Sequence, residues 1–128
     1  MTAPASNLRE YDIGAKSTDV FGRVMCNARD HHFIVDGPVQ NGCPGEEVTP
    51  PELLLSSVAA CGVELVQVIA KEQAKSIGMV EVAVHGVLDR GNQSRPNVTV
   101  YNTVHMTFTL RGTDGATAAQ LVEAFKRR

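Results

Sequence analysis

Residues 49–61, TPPELLLSSVAAC, contain the clearest helix start in the chain. Thr49 and Glu52 fit a capping box, in which the side chain of the third helical residue accepts the N–H of the capping residue. Pro50 falls at the first helical position, where its missing N–H removes no hydrogen bond from the helix. The apolar run that follows predicts a helix that begins at Pro50 and can extend to Ser76.

The predicted helix is apolar on nearly every side from Leu53 to Ala70. A helix of this kind is buried on most sides, rather than laid on a surface with one face in water. A chain of 128 residues is barely thick enough to bury it alone. We therefore expect a homodimer, in which a second copy covers part of the helix. Glu64 and Gln67 interrupt the apolar stretch, so a membrane span is not expected.

The residues before this helix have the pattern of short strands. Residues 8–13 are consistent with a first strand, and residues 18–27 alternate in sidedness, which is the period of a strand. A turn follows, and residues 31–35 return as another strand. Residues 37–48 are rich in glycine and proline, so we expect a loop there.

The residues after the helix begin with two more alternating segments, 79–90 and 98–111. In the second of these, valine, methionine, phenylalanine and leucine share one face, and threonine dominates the other. A last helix is predicted from about Ala116 to the end of the chain, with Asp114 or Thr113 as its N-cap.

This order of elements predicts an α+β fold with an antiparallel sheet, a long buried central helix and a short C-terminal helix. One apolar and one polar sheet face are usual for antiparallel strands. The length corresponds to a single domain over residues 1–128.

Composition restricts the partners and the compartment. The net charge is −2 at pH 7 and no basic stripe is present, so neither nucleic acid nor an anionic membrane is an expected partner. The first ten residues lack the pattern of a secretion signal. The three cysteines are an odd number, and without such a signal they are most simply free thiols in a reducing compartment. We expect a cytoplasmic protein.

Cys61, about three turns into the long helix, is the best candidate for a reactive side chain. A cysteine in an apolar helix usually acts as a small hydrophobic side chain. Ser57 and Glu64 share its face, however, and a polar strip on an apolar helix suggests a site. Only the thiolate is a good nucleophile, and burial beside a carboxylate disfavours it. A reactive Cys61 therefore needs a cation, for which Arg23 and Arg29 are the candidates.

The remaining cysteines and the histidines have simpler interpretations. Cys43 lies in a loop that we expect to be exposed, where it is either an ordinary thiol or a substitute resolving thiol. Cys26 lies on the apolar side of a strand and is expected in the core. His31 and His32 point to opposite faces if extended, and no helical histidine pair has metal spacing, so no metal site is expected.

The stretch from Thr49 to Cys61 resembles the helix signature of the OsmC/Ohr family, in which a Pro-x-Glu-Leu start leads to an Ala-Ala-Cys or Gly-Gly-Cys. Residues 31–38, HHFIVDGP, are similar to the second strand of that family, and the element order also agrees. The resemblance implies an intertwined homodimer with its sites at the subunit interface. It also implies a cysteine that reduces peroxides, often organic hydroperoxides, without metal, flavin or another cofactor.

The chain departs from the family pattern at the carboxylate. Peroxidase members carry a catalytic glutamate directly after the helix-start proline, where this chain has Pro51. Glu52 follows one residue later, and the capping box accounts for it. Glu64 could replace the missing carboxylate.

Two further departures concern the arginine and the second cysteine. The family arginine follows a Gly-Gly pair, which Phe21-Gly22-Arg23 matches in part, so Arg23 is the first choice and Arg29 the second. The resolving cysteine of the family follows the last helix, and this sequence ends at Arg128 before such a position.

The expected function is therefore that of a peroxidase with Cys61 as the attacking thiol, Arg23 as the stabilising cation and Glu64 as the residue that orients the arginine. Cys61 lies roughly 17 Å along the helix, and the six residues after Cys43 span at most about 20 Å. A disulfide between Cys43 and Cys61 of one chain would therefore need a loop that folds back almost fully stretched, and nothing in the sequence supports a bridge to the Cys43 of a second copy. We therefore expect reduction by an external thiol. The alternative is a non-catalytic family member that binds a small apolar ligand at the dimer interface, with Cys61 as part of the lining.

Overall fold

The computed structural model describes residues 7–128, and these form two compact units that divide between Glu52 and Leu53. Each unit is described by itself. Two α-helices and two sets of antiparallel strands confirm the predicted α+β class. The single domain over residues 1–128 stays a prediction.

The first unit contains a three-stranded antiparallel sheet. Its strands are β1 (Ile13–Ser17), β2 (Arg23–Ala28) and β3 (His31–Asp36), in the spatial order β1-β2-β3. The strand predicted over residues 8–13 was wrong, because residues 8–12 form no regular element and β1 begins at Ile13. The return strand predicted over residues 31–35 is confirmed and is one residue longer.

The strand predicted over residues 18–27 begins later than expected, because its first five residues form a turn. The Thr18 hydroxyl donates to the carbonyl oxygen of Arg23 at 3.0 Å and accepts the N–H of Val20 at 3.2 Å. Gly22 has a φ of 81°, a left-handed conformation that suits glycine. These side-chain bonds satisfy backbone groups that would otherwise join a strand ladder.

The long helix α1 (Pro50–Glu72) begins where the sequence predicts. The Glu52 carboxylate accepts the backbone N–H of Thr49 at 3.0 Å and its hydroxyl at 2.8 Å, which confirms this half of the capping box. The expected end at Ser76 was wrong. Ala74 adopts a left-handed φ of 54°, and the Lys75 N–H donates back to Ala70 at 2.8 Å. This is the Schellman arrangement that ends a helix.

The second unit contains the rest of α1, a two-stranded antiparallel sheet and a second helix. The strands are β4 (Val80–Val87) and β5 (Thr103–Leu110), and the helix is α2 (Gly115–Lys126). Asp114 is the N-cap of α2, because its carboxylate accepts the Thr117 N–H at 2.6 Å. Of the two predicted caps, the structure therefore selects Asp114.

The strand predicted over residues 98–111 is shorter than expected, because the Gln93 side chain forms hydrogen bonds with backbone groups in its first part. Its Oε1 accepts the Val100 N–H at 2.8 Å, and its Nε2 donates to the Val100 carbonyl at 3.1 Å. Asn102 adds a bond from its Nδ2 to the Asn92 carbonyl at 2.6 Å. Backbone groups used in this way are not available to a sheet partner.

The core of the second unit lies where one face of α1 packs against the sheet and α2. Its buried members are Val66, Ile69, Ala70, Val80 and Leu121. Phe108 and Phe125 pack against this cluster with ring centroids 5.2 Å apart, within the range of aromatic pairs.

Gly62 allows α1 to approach the sheet closely. A Cβ atom added at Gly62 would lie 2.9 Å from the Met106 methyl and 3.3 Å from a Val82 methyl. The expectation that α1 is buried on most sides is not met within one chain, where the face opposite Gly62 is exposed. A helix 23 residues long cannot be enclosed by the one two-stranded sheet and one short helix of its own unit.

We predict that Gly62→Val destabilises the protein by about 1–3 kcal/mol, because the added methyl groups must displace Met106 and Val82. Gln120→Val, at an exposed position of α2, shows the effect of a β-branched residue in a helix where no neighbour has to move; because valine has a higher helix propensity than glycine, propensity does not explain a loss of stability at Gly62. Urea unfolding followed by circular dichroism measures both variants. Equal effects of the two substitutions would contradict close packing at Gly62.

Candidate functional site

Cys61 lies on the outward face of α1 and is exposed, together with Ser57 and Glu64. The predicted polar strip is therefore present, but the expected burial of Cys61 in the chain was wrong. The Ser57 hydroxyl donates to the carbonyl oxygen of Leu54, one turn earlier, at 2.6 Å. Within this strip, the Cys61 thiol and the Glu64 carboxylate are the exposed reactive groups.

Apolar side chains surround this strip on the outward face. Leu53 is 37% exposed and Leu54 is 56% exposed, although both belong to the hydrophobic run that begins the helix. Ala60, next to Cys61, is exposed as well. The outward face of α1 from Leu53 to Glu64 is thus a hydrophobic surface that contains a thiol and a carboxylate. We call this surface the Cys61 face.

Arg128 forms an ion pair with Glu72 within the second unit. Its Nη1 donates to Glu72 Oε2 at 2.9 Å and its Nη2 to Glu72 Oε1 at 3.2 Å. These hydrogen bonds hold the pKa of Arg128 above its ordinary value, and the Glu64 charge adds a smaller contribution. The sequence does not indicate the contact between Arg128 and Glu72, because the two residues are 56 positions apart in the chain.

Arg23 is fixed by two carboxylates in the first unit. Its Nε donates to Asp36 Oδ1 at 2.8 Å, and its Nη2 donates to Asp36 Oδ2 at 2.9 Å and to Glu46 Oε1 at 3.3 Å. This fork geometry is the one that arginine forms best with a carboxylate. The hydrogen bonds to Asp36 raise the pKa of Arg23 above its ordinary value, so the guanidinium stays charged.

Asp36 is fully buried and is the centre of this network. Besides the Arg23 guanidinium, its Oδ2 accepts the backbone N–H groups of Glu46 and Glu47, both at 3.0 Å. The Arg23 hydrogen bonds, followed by those from Glu47 and Glu46, hold the pKa of Asp36 well below its ordinary value. A buried carboxylate with this many donors is fully compensated for its lost water.

Arg29 has a different environment from Arg23. It is exposed in the turn between β2 and β3, with a left-handed φ of 55°. Arg23 and Arg29 both belong to the first unit, whereas Cys61 and Glu64 belong to the second. The pairing of either arginine with Cys61, or with Glu64, stays a prediction.

Cys43 is half-buried and is packed against two glycines, so the expectation of an exposed loop thiol was wrong. A Cβ atom added at Gly22 or at Gly37 would overlap the Cys43 sulfur, which occupies the space that both glycines leave open. The two glycines are held side by side, because the Gly37 N–H donates to the carbonyl oxygen of Gly22 at 2.8 Å. Cys26 is half-buried on β2, which agrees only in part with the expected core position.

A family model described as "OsmC-like protein" matches residues 43–128, which is more than half of the chain. The chain belongs to the OsmC family. The resemblance that the sequence predicts is therefore confirmed, and its helix motif falls inside the matched residues. No curated protein sequence matches this OsmC-like chain.

Solved structures of OsmC-like proteins share the fold. An OsmC-like protein from Mycoplasma pneumoniae superposes with a TM-score of 0.78 at 16% identity, over 94% of this chain and 82% of that one. An organic hydroperoxide resistance protein from Elizabethkingia anophelis gives 0.75 at 15% identity, over 96% and 85%. One from Legionella pneumophila gives 0.73 at 18% identity, over 95% and 85%. At these identities the likeness establishes the fold alone.

Family membership also bears on the character of α1. By length and composition α1 could cross a membrane, with a mean hydropathy of 2.0 over 18 residues, so Glu64 and Gln67 do not interrupt it as strongly as expected. The core helix of a soluble protein has the same composition, and the OsmC and Ohr proteins are a soluble family. Among residues 7–128, no group of three or more histidine, cysteine or acidic side chains could hold a metal ion.

We predict that Glu52 is structural and Glu64 functional. Glu52→Ala should lower the thermal unfolding midpoint by a few degrees, because it removes both bonds to Thr49, and should leave the reactivity of Cys61 unchanged. Glu64→Gln should change the reactivity of Cys61 more than the unfolding midpoint. Calorimetry and thiol alkylation rates measure the two effects, and the reverse pattern would show that the roles are exchanged.

We predict that Asp36 makes the protein sensitive to acid. Because its pKa is lowered on folding, the ionised carboxylate stabilises the fold fully above the ordinary aspartate pKa of about 3.9. That stabilisation is lost as the pH falls from the ordinary aspartate pKa towards the lower pKa that Asp36 has in the folded protein. Asp36→Asn should therefore have a lower unfolding midpoint at neutral pH and a flatter decline below about pH 4. Asp19→Asn, at an exposed turn position, should keep the wild-type pH profile.

Proposed function

We propose that this OsmC-like protein is a cysteine-based peroxidase that reduces organic hydroperoxides and acts in defence against oxidative stress. The observation that carries the proposal is the Cys61 face, where an exposed thiol lies among exposed leucines one turn from a carboxylate. An apolar surround favours a peroxide with a hydrocarbon group over hydrogen peroxide. Two similar structures are described as organic hydroperoxide resistance proteins, which supports the same chemistry.

In the proposed reaction the Cys61 thiolate attacks the terminal oxygen of the hydroperoxide. A sulfur–oxygen bond forms as the oxygen–oxygen bond breaks, and the leaving alkoxide takes a proton to become the alcohol. Cys61 is then a sulfenic acid. An external thiol condenses with it to a mixed disulfide and releases water, and a second external thiol regenerates Cys61 as the disulfide of the two reductants departs. No metal or cofactor takes part in this scheme.

A cation has to favour the thiolate in this scheme. We assign this role to Arg23 first and Arg29 second. Arg23 is supported by its fixed position and permanent charge, although hydrogen bonds to Asp36 and Glu46 offset part of that charge. Glu64 is proposed to orient the arginine.

The active form is proposed to be a cytoplasmic homodimer. The leucines of the Cys61 face would be covered in it, and each such side chain contributes roughly 1.5–3 kcal/mol on burial. Such a dimer would also surround the thiol with less water than a single chain does, which makes a cation necessary for the thiolate.

A second candidate function is the non-catalytic binding of a small apolar ligand at the dimer interface. An open groove of about 760 Å³ lies between β5 and α2 and is lined in part by Val104, Met106, Phe108 and Phe125; it does not include Cys61, so it supports the binding of an apolar ligand but not a place for it at the Cys61 face. This volume is within the usual range for small-molecule sites. The replacement of the family glutamate by Pro51 also favours this candidate.

We predict that one equivalent of cumene hydroperoxide oxidises Cys61 before Cys26 and Cys43, because of the three thiols Cys61 alone shares a helix face with a carboxylate and is assigned a stabilising arginine in the proposed scheme. Mass spectrometry after dimedone trapping should locate a sulfenic acid on Cys61, and excess peroxide without a thiol should over-oxidise it. Cys61→Ser is the control and should consume no peroxide. A Cys61 that stays unmodified would instead support the ligand-binding candidate, and a quantitative Cys43–Cys61 disulfide would contradict the need for an external thiol.

We predict that light scattering at micromolar concentration gives about twice the chain mass, because the exposed leucines of the Cys61 face need cover. Leu54→Glu, on that face, should shift the protein towards monomer and lower its unfolding midpoint. Val39→Glu, at an exposed position of the first unit, is the matched control for an added charge. A well-folded wild-type monomer at this concentration would contradict the proposed dimer.

A further inference from the structure

Two histidines face each other across the strands of the second unit. The antiparallel register pairs His85 of β4 directly with His105 of β5. Both are exposed, whereas the neighbouring pair Val84 and Met106 is half-buried and belongs to the opposite face of the sheet. The two imidazoles therefore start from adjacent positions on the outward face.

The spacing of a cross-strand pair suits chelation. Directly opposite residues of antiparallel strands have Cβ atoms about 4.5–5.5 Å apart. An imidazole nitrogen binds a metal such as zinc at about 2.0–2.1 Å. Two side chains that rise from neighbouring points on one face can thus direct one nitrogen each at a common ion.

The electrostatic surroundings do not oppose a cation. Among the eight outward positions of β4 and β5, one is acidic and none is lysine or arginine; they are Glu81, Ala83, His85, Val87, Thr103, His105, Thr107 and Thr109. The pairs on either side of the histidines, Ala83 with Thr107 and Val87 with Thr103, are uncharged. An open depression of about 400 Å³, lined in part by Ala83 and Thr107, adjoins the histidine pair.

We propose that His85 and His105 form a two-histidine site for a divalent first-row transition-metal ion, with water at the remaining coordination positions. Neutral imidazole is a borderline ligand that suits Cu²⁺, Ni²⁺ and Zn²⁺ and does not suit Mg²⁺ or Ca²⁺. This site is independent of the Cys61 face and of the proposed peroxidase activity. His31 and His32 offer no equivalent, because β2 places Ala28 and Asn27 opposite them.

Calorimetric titration of the untagged full chain with Ni²⁺ tests the proposal. Ni²⁺ is chosen because Cu²⁺ oxidises thiols, and the heat of a reaction with Cys61 could then be mistaken for binding to the histidines. We expect one Ni²⁺ per chain, and at least about a tenfold loss of affinity in both His85→Gln and His105→Gln. His31→Gln and His32→Gln should bind as the wild type does, and Mg²⁺ should give no heat of binding.

The NMR spectrum of the wild-type protein gives a second readout that needs no variant. Paramagnetic Ni²⁺ should broaden the amide signals around His85 and His105 first, at substoichiometric amounts. Broadening centred on the cysteines or on His31 and His32 would overturn the proposal, as would wild-type affinity in either His85→Gln or His105→Gln.

Discussion

The packing of α1 against the sheet of β4 and β5 is the constraint on which the candidate site depends. Gly62 lets the helix backbone approach Met106 and Val82, and Val66 and Ile69 continue the same contact one and two turns later. Because successive helical residues turn by about 100°, this choice of inward face sends Cys61 outward. The position of the core therefore accounts for the exposure of the thiol.

The buried carboxylate of Asp36 has a comparable role in the first unit. It binds the Arg23 side chain and the backbone of Glu46 and Glu47, so the Gly/Pro-rich loop is drawn back to the end of β3. The Asp36 N–H also donates to the Val48 carbonyl at 3.1 Å, which ties down the residues just before the helix cap. The position of Arg23 is thus coupled to the start of α1, through contacts that lie within one unit.

The sequence was sufficient for features with local causes. The Thr49–Glu52 cap and the alternation of β4 each depend on neighbours a few residues away, and both are present; for the cap of α2 the sequence left Thr113 and Asp114 open. Element ends were less predictable, because they depend on particular side-chain bonds to the backbone, such as those of Thr18 and Gln93. No residue type signals the left-handed Ala74 that ends α1 early.

The site was less predictable than the fold, since its contacts join distant parts of the chain. The strip of Ser57, Cys61 and Glu64 follows from helical periodicity, but its exposure depends on the thickness of the whole unit. The ion pair of Arg128 with Glu72 and the packing of Cys43 on Gly22 have no local signature. The pairing of His85 with His105 likewise needs the strand register, which the sequence does not specify.

The proposed function requires Cys61 to be a peroxide-reducing thiol that prefers organic hydroperoxides. Its most direct test is a stopped-flow measurement of the second-order rate constants for oxidation of Cys61 by cumene hydroperoxide and by hydrogen peroxide, at neutral pH and with Cys26 and Cys43 replaced by serine. Both rate constants should exceed those of a free cysteine, and the value for cumene hydroperoxide should be the larger. Rates equal to those of free cysteine for both peroxides would contradict the proposed function.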